Sequence, residues 1–223
     1  MKAIVNVTQN WGIGYEGKLV SYITEDMKHF KFQTKNKAII YGNSTLKSFP
    51  NKAPLKNRIN IVITKDISHI DPQTIENSTI INDIKIIKKA DDYSIALQYF
   101  LNEKEYLNKP ILIIAYSIEQ AIEYARKMFS EDSIIVCGGS SIYKQMVPLC
   151  DTIMVTKNYY NGPIDAYFPN LDEDPNWVLA HTYPLIKDIC IEKNIIYRTE
   201  ICSYNIYKKA QDYKFDYYWR DIL

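Results

Sequence analysis

Short apolar runs alternate with longer amphipathic stretches along most of the chain. The runs Ala3–Val7, Ala38–Tyr41, Ile59–Ile63, Ile111–Ala115, Ile134–Cys137 and Ile153–Thr156 are rich in Ile and Val. Runs of this kind predict strands buried on both faces. Helix candidates lie between them. Glu25–Thr34 carries Met27, Phe30 and Lys31 at helical spacing, with Thr24 before it as a candidate N-cap. Ser44–Phe49 is a short candidate. Ser117–Phe129 opens with Ser117 and Gln120, a capping box, and sets Ile118, Ala121, Ile122, Ala125 and Phe129 on one face. Ser140–Cys150 follows Gly138-Gly139 and meets Pro148 near its end. The alternation predicts an α/β fold with a mainly parallel central sheet, flanking helices and right-handed crossovers. Trp177–Leu185 and Ile195–Tyr204 read as an antiparallel hairpin that closes the sheet. Residues 9–23 predict a long ordered loop, and such loops in compact domains are usually functional.

Two segments break the pattern. Residues 66–109 open on a polar stretch, then carry Ile84–Ile87 and the amphipathic Asp92–Tyr106; they read as an insertion within a single domain spanning 1–207. Residues 208–223 form a tail rich in aromatics, expected to pack on this chain or on a partner.

Composition narrows the function. A chain of 223 residues makes one domain. With 47% hydrophobic and 24% charged residues it is globular rather than disordered. Lys+Arg 27 against Asp+Glu 26 leaves a net charge of +1, with no global field to recruit nucleic acid or an anionic membrane. No apolar run approaches the roughly 20 residues that span a bilayer, and the first residues are too short and alternating for a signal segment. The reading is a soluble, cytoplasmic protein. Cys137, Cys150, Cys190 and Cys202 form no CxxC pair, and His29, His69 and His181 form no HExxH, so no metal site is expected. The thiols read as buried residues of a reducing compartment. No GxSxG marks a nucleophile elbow.

The 7 glycines are few enough to be informative. Gly12-x-Gly14-x-x-Gly17 matches the dinucleotide fingerprint in letters, but no helix opens after it and no acid stands about 20 residues on. Two other glycine turns follow strands and open hydroxyl-rich helix starts: Tyr41-Gly42-Asn43-Ser44-Thr45 and Cys137-Gly138-Gly139-Ser140-Ser141-Ile142-Tyr143. Helix N-termini present unpaired N–H groups, so two of them on one sheet suit a dinucleotide. The plainer alternative is capping by Ser and Thr. Lys65, just past the strand, is placed for a further phosphate. Asp26 lies in a first helical turn beside Ile23, Met27 and Phe30. It reads either as a pocket acid with a perturbed pKa or as an acid favoured by the helix dipole.

Taken in order, these pieces resemble the dihydrofolate reductase family. The resemblance rests on Trp11-Gly-Ile-Gly14, Glu25-Asp-Met-Lys-His-Phe30, Gly42-x-x-Thr45, Pro54-Leu-Lys-Asn-Arg58-Ile-Asn60, Val136-Cys-Gly-Gly-Ser-Ser-Ile-Tyr143 and Phe168-Pro169. It covers 1–65, 111–169 and, more loosely, 176–204. It implies NADPH as cofactor and hydride transfer to C6 of dihydrofolate with protonation at N5. It implies Asp26, Thr156, Tyr143 and Ser21 as catalytic residues, Asp26 holding the pteridine and Thr156 hydrogen-bonding that carboxylate. Val5, Asn6, Leu19, Met27, Phe30, Phe49, Leu55, Arg58 and Cys137 would contact substrate, with Arg58 meeting its glutamate carboxylate. Asn6, Ile13, Gly14, Leu19, Gly42, Asn43, Ser44, Thr45, Thr64, Lys65, Cys137, Gly138, Gly139, Ser140, Ser141, Ile142 and Tyr143 would hold NADPH.

The chain also departs from that pattern. Val20-Ser21 stands where the family has Trp, and Ser21 can itself hold a water. Thr24 replaces a common Pro, and Cys137 a branched aliphatic. Asn6 replaces a small Ala in the pocket floor, where it would crowd or rebind the pteridine. Asn43 stands where Arg or Lys usually meets the cofactor's 2′-phosphate, leaving that role to Lys65. Two other readings stay open: a related reductase of another pterin-like or riboflavin-pathway substrate, and a non-catalytic folate- or nucleotide-binding protein. The chain would be a monomer or a homodimer, with the tail as a candidate interface.

Overall fold

The computed structural model describes residues 1–65, 67–70, 72, 74, 79–81, 110–192 and 195–212. Its strands are β1 (Lys2–Thr8), β2 (Gly12–Tyr15), β3 (Lys18–Leu19), β4 (Ala38–Gly42), β5 (Ile59–Ile63), β6 (Thr79–Ile81), β7 (Ile111–Ala115), β8 (Ile134–Gly138), β9 (Thr152–Asn158), β10 (Ala166–Tyr167), β11 (Trp177–Glu192) and β12 (Ile195–Lys209). The α-helices are α1 (Thr24–Thr34), α2 (Asn43–Ser48), α3 (Ile118–Met128) and α4 (Ser140–Met146). Among the described residues a central sheet runs β11-β12-β9-β1-β8-β4-β5-β7-β6, and a small one runs β10-β2-β3. From β9 to β6 every pairing in the large sheet is parallel. β12 joins β9 antiparallel and β11 pairs antiparallel with β12. This is the mixed, mainly parallel sheet with an antiparallel C-terminal hairpin that the sequence predicts.

The Ile- and Val-rich runs are continuous because both faces of the sheet are covered. Alternate residues sort to opposite sides. Ala3, Val5, Ile40, Ile61, Ile113, Val136 and Ile153 join one core with α3 and α4, while Ile4, Ile39, Tyr41, Val62, Leu112, Ile135 and Met154 join the other with Leu46 of α2. The α3 stripe includes Tyr124 and Met128 besides the predicted Ala121, Ile122 and Ala125. Ser117 caps it by accepting from Gln120 N at 3.2 Å, but Gln120 Oε1 returns to Tyr116 N, one residue earlier than a capping box implies.

Three expectations change. Thr24 is not the cap of α1. It is the first helical residue, because Met27 N already donates to Ile23 O at 3.0 Å, and Ile23 supplies no capping side chain. The segment 9–23 is not simply a loop: β2 and β3 form a hairpin in it, and β10 pairs with β2. Within 66–109, Thr79–Ile81 adds an edge strand parallel to β7; Ile84–Ile87 and Asp92–Tyr106 lie outside the described residues. So does the tail beyond Asp212.

One buried amide organises the turn before β5. Asn60 is 0% exposed. Its Oδ1 accepts from Leu55 N at 2.9 Å and from Tyr41 Oη at 3.0 Å. Its Nδ2 donates to Leu55 O at 2.9 Å and Ile111 O at 3.0 Å, and reaches Arg58 O at 3.3 Å. Asn60→Ala strands several of these groups without water, so it should destabilise the protein by about 3 kcal/mol. The check is a lower denaturation midpoint at unchanged m-value.

Candidate active site

Asp26 enters the protein in the first turn of α1 and is 4% exposed. Thr156 Oγ1 donates to its Oδ1 at 2.6 Å, and Asn6 Nδ2 to its Oδ2 at 2.8 Å. The two donors stand side by side because β1 and β9 pair in parallel with Asn6 opposite Thr156. Burial pushes the Asp26 carboxyl above its ordinary value; the two hydrogen bonds and the charge of His29 oppose it. Burial also pushes His29 down, and its ring lies 4.7 Å from that of Tyr204. An ion taken out of water costs several kcal/mol unless donors replace the solvent. Here one donor meets each oxygen.

The other end of α1 carries a second functional group. Thr34 Oγ1 accepts from Arg58 Nε at 2.8 Å and donates to Phe30 O at 2.6 Å. Arg58 also donates to Lys56 O at 2.7 Å and lies 5.9 Å from the Phe30 ring centroid. It is 7% exposed, and among the described residues no carboxylate pairs with it. A buried guanidinium without a counter-ion suits a carboxylate ligand. Asp26 and Thr34 are the buried residues of α1, and both are polar. They lie eight residues apart, about 12 Å along the helix axis. Phe30, Phe49, Leu55 and Cys137 are partly buried along one core on this side of the sheet, with Phe49 edge-on to Tyr41. Met27 is half-buried on α1.

A cavity of about 290 Å³ adjoins this carboxylate site. It brings together Val5, Asn6, Ile13, Gly14, Leu19, Ser44, Thr45, Cys137, Gly138, Gly139, Ser140 and Tyr143 from the predicted set, and adds Gly17, Lys18, Ser48 and Ala166. The β2–β3 hairpin supplies one wall, the strands the floor, and the starts of α2 and α4 the far wall. Asn6 belongs to both sites: it lines the cavity and touches Asp26. In the pocket floor it binds the buried Asp26 carboxylate rather than standing free. Tyr143 shows the cavity its ring, since its hydroxyl donates to Ile4 O at 2.6 Å. Burial pushes the Cys137 thiol well above its ordinary value, so it is a neutral lining group.

The glycine turns fit a dinucleotide. Neither helix start is capped by a side chain, so the capping alternative does not hold and the first amides of α2 and α4 stay available. A Cβ on Gly42 would sit 3.1 Å from Ile142 Cγ1, and one on Gly139 would sit 3.4 Å from Thr45 Oγ1. Gly138 has φ +113°, and a Cβ there would stand 2.9 Å from the Tyr143 ring. Ser141 is exposed and accepts from Gln145 at 3.3 Å. Further out, Asn43 Nδ2 donates to His69 O at 2.6 Å, while Asn43 Oδ1 is buried without a partner. Thr64 is buried, and Lys65 is exposed at the strand's end. Ser21 Oγ is also buried without a partner, which fits a water held there.

Sequence reasoning missed Asn60 as the staple of the Arg58 turn and Asn158 behind Asn6. For Asn60 a signal existed, an Asn inside an apolar strand run. Among the described residues, Cys137 and Cys150 are free thiols, and no group of three or more His, Cys, Asp or Glu is placed to hold a metal. No helix among them is long and apolar enough to cross a membrane.

The sequence profile of the family described as dihydrofolate reductase matches residues 1–97 and 100–200. Dihydrofolate reductase of Buchnera aphidicola subsp. Acyrthosiphon pisum is 30% identical over 174 residues, covering 78% of this chain and 81% of that protein. The enzyme of Sus scrofa is 28% identical over 216 residues, covering 92% and 98%. The chain also matches the bifunctional dihydrofolate reductase-thymidylate synthase of Daucus carota, 28% identical over 197 residues, but spans only 31% of that protein. In three dimensions it is similar to dihydrofolate reductase from Enterococcus faecalis, solved in complex with NADP(H) and RAB-propyl. The TM-score is 0.61 at 22% identity, over 94% of this chain and 95% of that one. These matches define an NADPH-dependent oxidoreductase. The chain belongs to the dihydrofolate reductase family.

Gly138→Ala tests the cradle. The positive φ and the fixed Tyr143 ring leave the new methyl no room, so we expect a loss of about 2 kcal/mol of stability. NADPH affinity should fall with it; calorimetric titration and thermal unfolding report the two effects separately.

Proposed function

We propose that this protein reduces 7,8-dihydrofolate to tetrahydrofolate, with hydride delivered to C6 and a proton to N5. The observation that carries this reading is the Asp26 carboxylate, buried beside the cavity with a donor on each oxygen. NADPH, when bound, supplies the hydride. Gly42, Ser44, Thr45, Gly138, Gly139, Ser140, Ser141 and Ile142 would hold its phosphates and ribose, and Ile13, Gly14, Leu19 and Tyr143 its nicotinamide end.

Asp26 would accept from the amino and ring N–H groups of the pteridine and raise the basicity of N5 through that charge. Thr156 keeps the carboxylate turned toward the ligand. Ser21 would hold the water that delivers the proton. Phe30 and Phe49 would flank the aminobenzoyl ring, with Met27, Leu55, Val5 and Cys137 completing the apolar lining. Arg58, held by Thr34, would take the glutamate carboxylate. A pterin-like substrate without that glutamate would leave the buried guanidinium unpaired, which favours dihydrofolate. The β2–β3 hairpin would exclude water from the reacting atoms.

Asp26→Asn should abolish most dihydrofolate-dependent NADPH oxidation while leaving NADPH binding nearly intact; equal loss of both would count against the assigned role. In the unmodified enzyme, substrate binding needs the ionised carboxylate. Because burial raises the Asp26 pKa, KM for dihydrofolate should begin to climb on acidification at a pH above that of an ordinary aspartate. A steady-state pH series shows where the climb begins. Lys65→Ala should raise KM for NADPH more than for NADH, by about tenfold if one exposed phosphate contact is lost.

A further inference from the structure

The Asp26 carboxylate stands at the end of a line of amides that the chemistry above does not use. The backbone N–H of Tyr160 donates to Asn158 Oδ1 at 2.9 Å. Asn158 Nδ2 donates to Asn6 Oδ1 at 2.6 Å, and Asn6 Nδ2 to Asp26 Oδ2 at 2.8 Å. Asn158 is 2% exposed. It lies two residues after Thr156 on β9, on the same face, and pairs in register with Thr8 of β1.

The polarity of this line is fixed from its far end. A backbone N–H can only donate, so Asn158 must turn its oxygen to Tyr160 and its NH2 to Asn6. Asn6 must then turn its oxygen to Asn158, which leaves its NH2 facing Asp26. An acceptor-only carboxylate satisfies that NH2, whereas a proton on Oδ2 would oppose it. We propose that Asn6 and Asn158 form a relay that holds Asp26 ionised and in one orientation, Asn6 by direct contact and Asn158 as a positioning residue acting through Asn6. The proposal rests on the reading of Asp26 as the pteridine-binding acid.

Other groups face the same carboxylate. His29 comes from α1, Tyr204 from β12 and Tyr143 from α4. Burial pushes Tyr204 up to about 12 and Tyr143 well above its ordinary value, so both stay neutral through the working range. His29 gains charge only on acidification, where it opposes protonation of Asp26. Unlike His29, the relay acts through an uncharged contact that can be deleted without changing charge, and unlike the two tyrosines it hydrogen-bonds the carboxylate directly.

The test is a direct titration of the Asp26 carboxyl. Ligand-free protein carrying 13C at the aspartate carboxyls is followed by NMR, with the Asp26 resonance assigned by its loss in Asp26→Asn. Asn6→Ala only removes atoms, and should raise the Asp26 midpoint by about one pH unit, the scale of one hydrogen bond to a charged group. Asn158→Ala should raise it in the native background and leave it unmoved in the Asn6→Ala background. If Asn158→Ala does not fold, Asn158→Ser takes its place and must show the same dependence on Asn6.

An unmoved or lowered midpoint in Asn6→Ala overturns the proposal. A shift from Asn158→Ala that persists undiminished without Asn6 removes Asn158 from the relay. As a second readout, the pH at which KM for dihydrofolate begins to climb should move up with the midpoint in Asn6→Ala. Shifted NMR midpoints without any dihydrofolate turnover would reject the substrate and keep the relay. Turnover with unmoved midpoints would do the reverse.

Discussion

A carboxylate has been taken out of water, and the site is the set of conditions under which that is tolerable. Burial makes the ionised form of Asp26 unfavourable by several kcal/mol unless donors replace the lost solvent. Here the donors are Thr156 and Asn6, on neighbouring strands. Their positions follow from β1 lying between β8 and β9, parallel to both. A slip of one residue in that pairing would turn one of the two side chains to the other face and leave the acid with a single donor. The central strand therefore fixes the site as well as the core.

Helix α1 shows what such a site asks of local structure. An ordinary surface helix buries an apolar stripe. This one buries Asp26 and Thr34 and leaves Met27 and Phe30 half-buried. One helix thus sets the spacing between the acid that would hold the ring and the threonine that orients Arg58. The guanidinium is held in turn by a bend that Asn60 ties from below. The distance between the acid and the threonine that orients the guanidinium is in this sense written into a helix of 11 residues.

The fold was legible where the physics is local or repetitive. The Ile- and Val-rich runs are uninterrupted because helices cover both faces of a parallel sheet, and six such runs located six strands. The glycine turns were legible because a side chain at Gly42 or Gly138 would strike Ile142 or Tyr143. The hairpin at 12–19 was not, since strands of four and two residues are too short to carry a period. Thr24 misled as a cap because α1 starts from the backbone of Ile23. Asn6 was legible as unusual but not as useful: its two partners lie 20 and 152 residues away in the chain, and only the assembled sheet brings them to it.

Trp11 has a consequence beyond packing. It stands with φ 62° at the foot of the β2–β3 hairpin, stacked 6.0 Å from Phe168 and edge-on to Tyr207, with the Lys157 ammonium 4.4 Å above its ring. Its backbone oxygen accepts from Phe168 N, which ties the hairpin to the segment that carries β10. The hairpin forms a wall of the cavity, so a movement of it that carries Trp11 along alters the distance between indole and ammonium. A nearby cation shifts and dims indole emission. The enzyme thus carries an optical gauge at the foot of its own cavity wall, readable without a label once the emission of its two other tryptophans is subtracted.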